Sequence, residues 1–283
     1  MTEQNLSGVQ PLIMTDRELQ CVIDMIYSQC GISLNLTKKR MASARLSKRL
    51  RKLGHGSFSQ YLDYVKTPEG QEQEMTSMID VITTNTTQFF REDRHFSFLA
   101  HQALPKLLAP GHRDLTIWSA GCSSGEEPYS IAMVLSDYFE REMGSYSIIA
   151  TDISTRVLQK AQQGVYEKAA IDPVPYNLKH KYLMRGSGSQ DGNYRVVPEL
   201  RENISFRRVN LVDECLDLGR QVDIIFCRNV TIYFDNPTKT ELFKHFYEHL
   251  VPGGYFFIGH SETLNGFNRQ FIPVAPTIYR KPG

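Results

Sequence analysis

Apolar positions recur every three to four residues through the first eighty positions and then change period. Thr15-Asp16-Arg17-Glu18 has the form of a capping box. Leu19, Val22, Ile23 and Ile26 follow on one helical face, and Gly31 reads as the stop. The same period predicts helices over 37–53, closing at Gly54, and over 57–66 and 70–82. This stretch has no strand pattern, so it reads as a small all-α domain. From Leu115 short apolar runs alternate with helical segments. Strands are predicted over 115–119, 147–151, 204–207, 222–227, 254–259 and 276–280. Helices are predicted over 90–108, 127–142, 154–162, 237–250 and 262–267. Such alternation implies an α/β domain built on a doubly wound, largely parallel sheet. Residues 271–279, with two prolines, suit an edge strand. Residues 182–202 break the alternation: Gly186, Gly188 and Gly192 precede a Tyr194-Arg195-Val196-Val197 run. They read as a small antiparallel β insertion.

Residues 114–129 join an apolar strand, a small-residue turn and a helix, the Rossmann-like opening of a nucleotide site. Gly121 and Gly125 permit a sharp turn and close approach of a ligand to the main chain. Glu126 and Glu127 occupy the place where a dinucleotide would set its pyrophosphate. Two carboxylates there repel phosphate and suit S-adenosylmethionine, which carries an ammonium and a sulfonium. A bare complement to the helix dipole would look the same.

Other strand ends add polar groups. The strand at 147–151 runs into Asp152, placed to accept from a ribose diol or to cap the next helix. Asn210-Leu211 follows the strand at 204–207, an amide for an adenine edge and a side chain for its face. The buried run at 222–227 leads into Arg228-Asn229, where base-modifying amino-methyltransferases carry Asp/Asn-Pro-Pro-Tyr. A nucleobase amine is therefore disfavoured as acceptor. The segment 83–92 is polar, then aromatic, then charged, with Asn85 and Thr87 able to donate and accept.

Composition changes this picture little. The 283 residues carry a net charge of +1, which gives no global pull toward nucleic acid or membrane. The N-terminus has no secretory pattern, and no apolar run reaches the length of a membrane span. Five scattered cysteines without C-x-x-C suggest reduced thiols rather than disulfides, and histidine spacing predicts no metal. One local charge run stands out. Residues 38–52 hold eight basic residues and no acid. On a helix Arg45, Lys48, Arg49 and Lys52 share a stripe, while Leu46, Leu50 and Leu53 face the core. The stripe reads either as a solvated face or as a surface for an acidic partner.

Together TTNTTQFFRE (83–92), SSGEEPYSIAM (123–133), ATDIS (150–154), FCRNVTIYF (226–234) and GHSE (259–262) resemble the bacterial chemotaxis receptor methyltransferases, the CheR family. The resemblance covers roughly residues 15–280. It implies a helical domain over 1–82 for receptor recognition, a linker over 83–92 that contributes to the cofactor site, and an S-adenosylmethionine-dependent methyltransferase domain over 93–283 with a β-subdomain near 182–202. It implies cofactor contacts from Asn85, Thr87, Arg91, Glu127, Asp152, Asn210, Leu211, Arg228 and Asn229, with Arg91 and Tyr233 at the reacting carboxylate. The implied reaction is a cytoplasmic one, methyl transfer to glutamate side chains of chemoreceptors, leaving S-adenosylhomocysteine. Arg45, Lys48, Arg49 and Lys52 would meet the acidic methylation helices. Gly186-Ser187-Gly188 resembles the Gly-x-Gly of members whose β-subdomain grips a C-terminal receptor peptide. Cys122 departs from the alanine or glycine common at its position. An RNA methyltransferase and a non-catalytic S-adenosylmethionine-binding adaptor are the rival readings.

Overall fold

In the computed structural model, residues 12–83, 85–108, 113–213, 216–267 and 269–283 are described. The chain divides into two units, Met1–Thr84 and Asn85–Gly283.

The smaller unit is helical because its apolar stripes have no partner but one another. Helix α1 (Asp16–Cys30) begins in the expected capping box. The Thr15 hydroxyl accepts from Glu18 N at 3.2 Å, and Glu18 accepts from Thr15 N at 2.7 Å. It stops at Gly31, whose φ of 67° closes the last turn. Helices α2 (Lys39–Lys52), α3 (Phe58–Val65) and α4 (Pro68–Ile82) follow, the last two capped by Ser57 and Thr67. Leu19, Val22, Ile26, Leu46, Leu50, Tyr61, Leu62, Met78 and Ile82 form the buried side. Leu53, expected in the core, is 37% exposed because α2 ends one residue earlier.

The larger unit opens with α5 (Arg94–Phe98), a wide π turn (Leu99–Ala103) and α6 (Leu104–Leu107). Pro105 explains the wide turn, since it cannot donate to the preceding turn and its ring crowds that carbonyl. The helix expected from residue 90 starts only at Arg94, because Phe90 and Glu92 have φ of 52° and 58°.

Strands β1 (Asp114–Ala120) and β2 (Ser145–Asp152) flank α7 (Glu126–Phe139), and α8 (Thr155–Gln163) follows β2. Next come β3 (Val165–Glu167), α9 (Tyr176–Tyr182), β4 (Leu183–Arg185), β5 (Asn193–Val196), α10 (Pro198–Arg201) and β6 (Ile204–Arg208). Then β7 (Val222–Cys227), α11 (Asn236–His249), β8 (Leu250–Ile258), β9 (Ile272–Ala275) and β10 (Ile278–Arg280) complete the chain.

Seven strands run β6-β2-β1-β7-β8-β10-β9, parallel through β8 and antiparallel after it. The doubly wound sheet is therefore as the alternation predicts. Trp118 in β1 is fully buried, donating to Thr151 Oγ1 at 2.9 Å and packing on Phe246.

Three expectations change. The single edge strand read into 271–279 is a hairpin, with β9 at the edge, Pro276 beside its turn and β10 inside. The helix expected over 262–267 is a set of turns. Asn265 N bonds the Thr263 hydroxyl at 3.1 Å, and Gly266 has φ of 87°, so local bonds displace helical ones. The β insertion is a three-stranded antiparallel sheet, β3-β5-β4, whose first strand lies outside the 182–202 expected for it. Three-residue β3 is too short to show a period.

Candidate functional site

Strand order reverses between β1 and β7, and ligands in such sheets bind beyond the carboxyl ends of strands at that point. Asp152, Asn210, Arg228 and Asn229 all lie there, and the turn after β1 carries Ser123 and the start of α7. Gly121 and Gly125 have φ of 80° and 96°. A Cβ on Gly121 would come within 2.4 Å of Val230, and one on Gly125 within 2.8 Å of Tyr166 Oη. Both glycines thus serve packing within the protein, where the sequence suggested close approach of a ligand.

Asp152 ties two turns together, its carboxylate accepting from Ser123 N at 2.8 Å and Ser154 N at 2.9 Å. The Ser154 hydroxyl, not Asp152, caps α8. Ser123 itself sits at φ 48° and its hydroxyl donates to Asn85 O at 3.1 Å, which brings the 85–92 segment to the turn. Asn85 and Thr87 are half-buried there. Asn210 donates to Asp213 Oδ1 at 2.7 Å, and Leu211 beside it is buried. Asp152→Ala should therefore weaken S-adenosylmethionine binding by about 1–3 kcal/mol. Calorimetric titration of the folded variant checks this, and unchanged affinity would remove Asp152 from the site.

The electrostatic centre is Arg228, 6% exposed. Its Nη1 reaches Glu127 Oε2 at 3.3 Å, and its Nη2 and Nε reach Glu92 Oε2 at 3.0 and 3.3 Å. Nη2 also donates to the Arg91 carbonyl. Glu127 takes a second bond from Ser119 Oγ at 2.7 Å, whereas Glu126 turns to Ser124. Burial pushes the Glu127 carboxyl up, opposed by Arg228 and Ser119. Burial pushes Glu92 the same way, but the His260 backbone N–H and Arg228 together hold it below its ordinary value. Phe90, Glu92, Ser123 and Asn229 all have positive φ, four of the five non-glycine cases among the described residues. Such conformations persist where surrounding structure over-determines them, as at binding sites.

Two carboxylates in this cluster were missed by sequence reasoning although both lie in quoted motifs. Glu92 is one. Glu262 is the other: it accepts from Asn229 N, Val230 N, Thr231 N, Thr231 Oγ1 and Gly259 N at 2.5–3.0 Å. It holds the Arg228–Thr231 turn, including Asn229 at φ 59°, in one shape. No periodicity marks a carboxylate whose partners are backbone amides more than thirty residues away. Tyr233 ends a short 3-10 turn after this loop and is half-buried. Arg91 is half-buried, its Nη1 donating to Thr86 O at 3.1 Å.

The basic stripe on α2 divides into two residues with internal partners and two exposed ones. Arg45 donates to the carbonyls of Val81, Ile82 and Thr83 at 3.4, 2.7 and 3.0 Å, closing the end of α4. Arg49 forks onto Glu74, which is 1% exposed, and also bonds Ser77. Lys48 and Lys52 are exposed. Positions 45 and 49 flank the packed face of α2 and serve the domain's own polar interior. Both stay partly exposed, so these internal bonds leave the expected receptor contact of Arg45 and Arg49 undecided.

In the β insertion, Gly186 N extends the β4–β5 ladder to Asn193 O at 2.8 Å, and Gly188 turns at φ 60°. A Cβ on Gly186 would lie 2.2 Å from Gln190 O. Strand β4 lies at the edge of its sheet.

The donor set fits S-adenosylmethionine. Two carboxylates, Glu92 and Glu127, meet one guanidinium, and a third, Asp152, ends the adjacent strand β2, an excess of negative charge that suits an ammonium and repels a phosphate. Comparison with known proteins agrees. Residues 85–280 match the family model described as the CheR methyltransferase SAM binding domain, and 17–83 match the CheR methyltransferase all-alpha domain. A chemotaxis protein methyltransferase of Borreliella burgdorferi is 40% identical over 99% of each chain. Chemotaxis protein methyltransferase 2 of Pseudomonas aeruginosa is 40% identical over 98% of each. The Escherichia coli chemotaxis protein methyltransferase is 36% identical over 97% of this chain and 94% of that one.

Proposed function

This chain belongs to the CheR methyltransferase family and uses S-adenosylmethionine, and from that premise we propose that it methylates glutamate side-chain carboxylates of chemoreceptors. When bound, the cofactor supplies a methyl group on a sulfonium, which departs as a neutral thioether. A glutamate acceptor is already an anion near neutral pH, so no residue has to remove a proton. The protein's task is to align acceptor and methyl group and to exclude water, and alignment alone can contribute several kcal/mol.

The observation that carries this reading is the placement of Arg91. Its backbone lies between two positive-φ residues and its carbonyl is held by Arg228, so the turn is rigid. Its guanidinium gives one Nη1 bond to Thr86 O and keeps further N–H groups with which, on this reading, it grips the acceptor carboxylate in a fork. Arg91 orients the anion, and Tyr233, half-buried after the Arg228–Thr231 turn, walls the transfer pocket.

Incubating the protein with methyl-labelled cofactor and receptor-containing membranes tests the proposal. Label on receptor that base releases as methanol supports a carboxyl ester. Label in RNA, or none anywhere, refutes the reading. In the same assay Arg91→Ala should turn over at least about tenfold more slowly, a barrier change of roughly 1.4 kcal/mol. Arg91→Lys should recover little, because a point charge cannot fork.

Receptor contact falls to the exposed part of the basic run. Lys48→Glu with Lys52→Glu should raise KM for receptor and leave cofactor affinity unchanged. The wild-type rate at low receptor concentration should fall with added salt. A double variant with unaltered KM would make the run a solvated face only. The edge of β4, turning through Gly186 and Gly188, is the surface proposed to take a receptor C-terminal peptide by strand addition.

A further inference from the structure

Glu92 makes more of its environment than its pairing with Arg228 uses. A carboxylate has about four lone-pair positions. Oε1 accepts from His260 N at 3.1 Å and Asn229 Nδ2 at 3.4 Å, and Oε2 accepts from Arg228. The other side of Oε2 faces two imidazole nitrogens. His95 Nδ1 lies 3.6 Å away and His260 Nε2 4.0 Å away. His95 is 1% exposed, and its Nδ1 has no hydrogen-bond partner among the described residues.

The tautomer of His95 follows from its other nitrogen. The Thr277 hydroxyl donates to the Pro276 carbonyl at 2.7 Å, so it accepts from His95 Nε2 at 2.8 Å. That places the proton on Nε2 and leaves a lone pair on Nδ1. A bare imidazole lone pair therefore points at a carboxylate oxygen inside the protein. Two electron-rich atoms so placed repel unless a cation stands between them.

We propose that Glu92, His95 and His260 form a binding site for a zinc-class divalent cation. All three donor atoms lie within 4.8 Å of one another. A tetrahedral zinc ion with bonds of about 2.0–2.1 Å holds its ligands roughly 3.3 Å apart, so closure takes shifts of about an ångström or less. Two imidazoles and one carboxylate favour zinc over magnesium or calcium. The Thr277 bond to the far nitrogen of His95 is the outer-sphere support such a ligand needs. His260, half-exposed, gives the ion its entry path and can move to meet it. Histidine spacing alone does not reveal this site, because His260 joins a pair lying more than 160 residues earlier.

Occupancy has a consequence for the neighbouring network. The ion and Arg228 would share Glu92 Oε2, two positive charges on one oxygen. Metal binding would loosen the hold of Arg228 on Glu92 and, through it, on Glu127, so the site is inhibitory. The metal-binding claim stands without the functional reading above; the inhibitory claim rests on the cofactor site alone and not on any receptor.

The test uses the full chain, stripped with chelator and then titrated with zinc against a competing chromophoric chelator. One equivalent should bind, and Co(II) in its place should give the strong visible absorption of a four-coordinate site. His260→Ala, a change at a half-exposed position, should bind at least about tenfold more weakly and lose the cobalt spectrum. Absence of stoichiometric binding by the wild type, or equal binding by the wild type and His260→Ala, overturns the site. S-adenosylmethionine affinity, measured by calorimetry with and without one equivalent of zinc, should fall several-fold in the wild type and stay constant in His260→Ala. Equal wild-type affinities in the two conditions overturn the inhibitory role.

Discussion

Arg228→Ala is expected to weaken S-adenosylmethionine binding by more than about a hundredfold and to lower the stability of the larger unit by about 3–5 kcal/mol. The guanidinium pairs with both Glu92 and Glu127. Removing it leaves two carboxylates in a poorly solvated cleft with their mutual repulsion uncompensated. The carboxyl of Glu127, already pushed up by burial, would lose the Arg228 charge that opposes that rise, so it would hold its own charge, and the cofactor ammonium, less firmly. The Arg91 carbonyl would also lose its anchor, so the turn that carries Arg91 would loosen. Arg228→Lys should restore part of the stability and little of the binding, since one ammonium cannot span both carboxylates and the carbonyl. Calorimetric titration and denaturant unfolding measure the two effects. Wild-type affinity in a well-folded Arg228→Ala protein would show that Arg228 is not central to the site.

The second large effect lies in the helical unit. Arg49→Glu should destabilise that unit by more than about 3 kcal/mol, enough to unfold it in many small domains. Glu74 is buried in a network of Arg49, Tyr61 and Ser77, with Tyr61 Oη donating at 2.9 Å and Arg49 Nε at 2.6 Å. Burial and the Glu74 carboxylate together hold the Tyr61 hydroxyl well above its usual range, so it stays a donor. A second carboxylate at position 49 would face Glu74 with no cation present. Glu74→Gln, which keeps the shape and removes the charge, should cost less than the reversal. Amide hydrogen exchange of α1 to α4 reports the outcome, and wild-type protection in Arg49→Glu would refute the structural role. A loss of receptor methylation in this variant would then reflect a lost domain, not a lost contact.

The fold was largely legible because its units bury one face each, so apolar period and strand–helix alternation speak directly. Strand 222–227 and helix α1 are cases where every turn or pleat shows in the residues. What escaped was set by geometry that local sequence does not carry. Strand β3 pairs with β5 through only three residues, and the π turn answers to a single proline. The helix expected over 262–267 has an adequate apolar spacing, but Glu262 is taken by the backbone of residues 229–231 and Gly266 breaks the turn.

At the site the same division holds. Asp152, Arg228 and Asn229 stand at strand ends and Glu127 in the first turn of α7, where position alone suggests a ligand. Glu92 and Glu262 act through partners that only folding brings near. The α2 stripe shows a different limit. Periodicity put Arg45 and Arg49 on a polar face correctly, but it cannot tell a boundary position that caps α4 or pairs with Glu74 from one that faces solvent.

Trp118, the single tryptophan of the chain, lies sealed in β1 between Thr151 and Phe246. Its emission therefore reports on one unit and is blind to the other. Unfolding followed by tryptophan fluorescence traces the sheet, whereas far-ultraviolet dichroism sums over both units and is weighted toward helix. Coincidence of the two curves would mean that the units melt together, and a separation would resolve the helical unit as the difference between them.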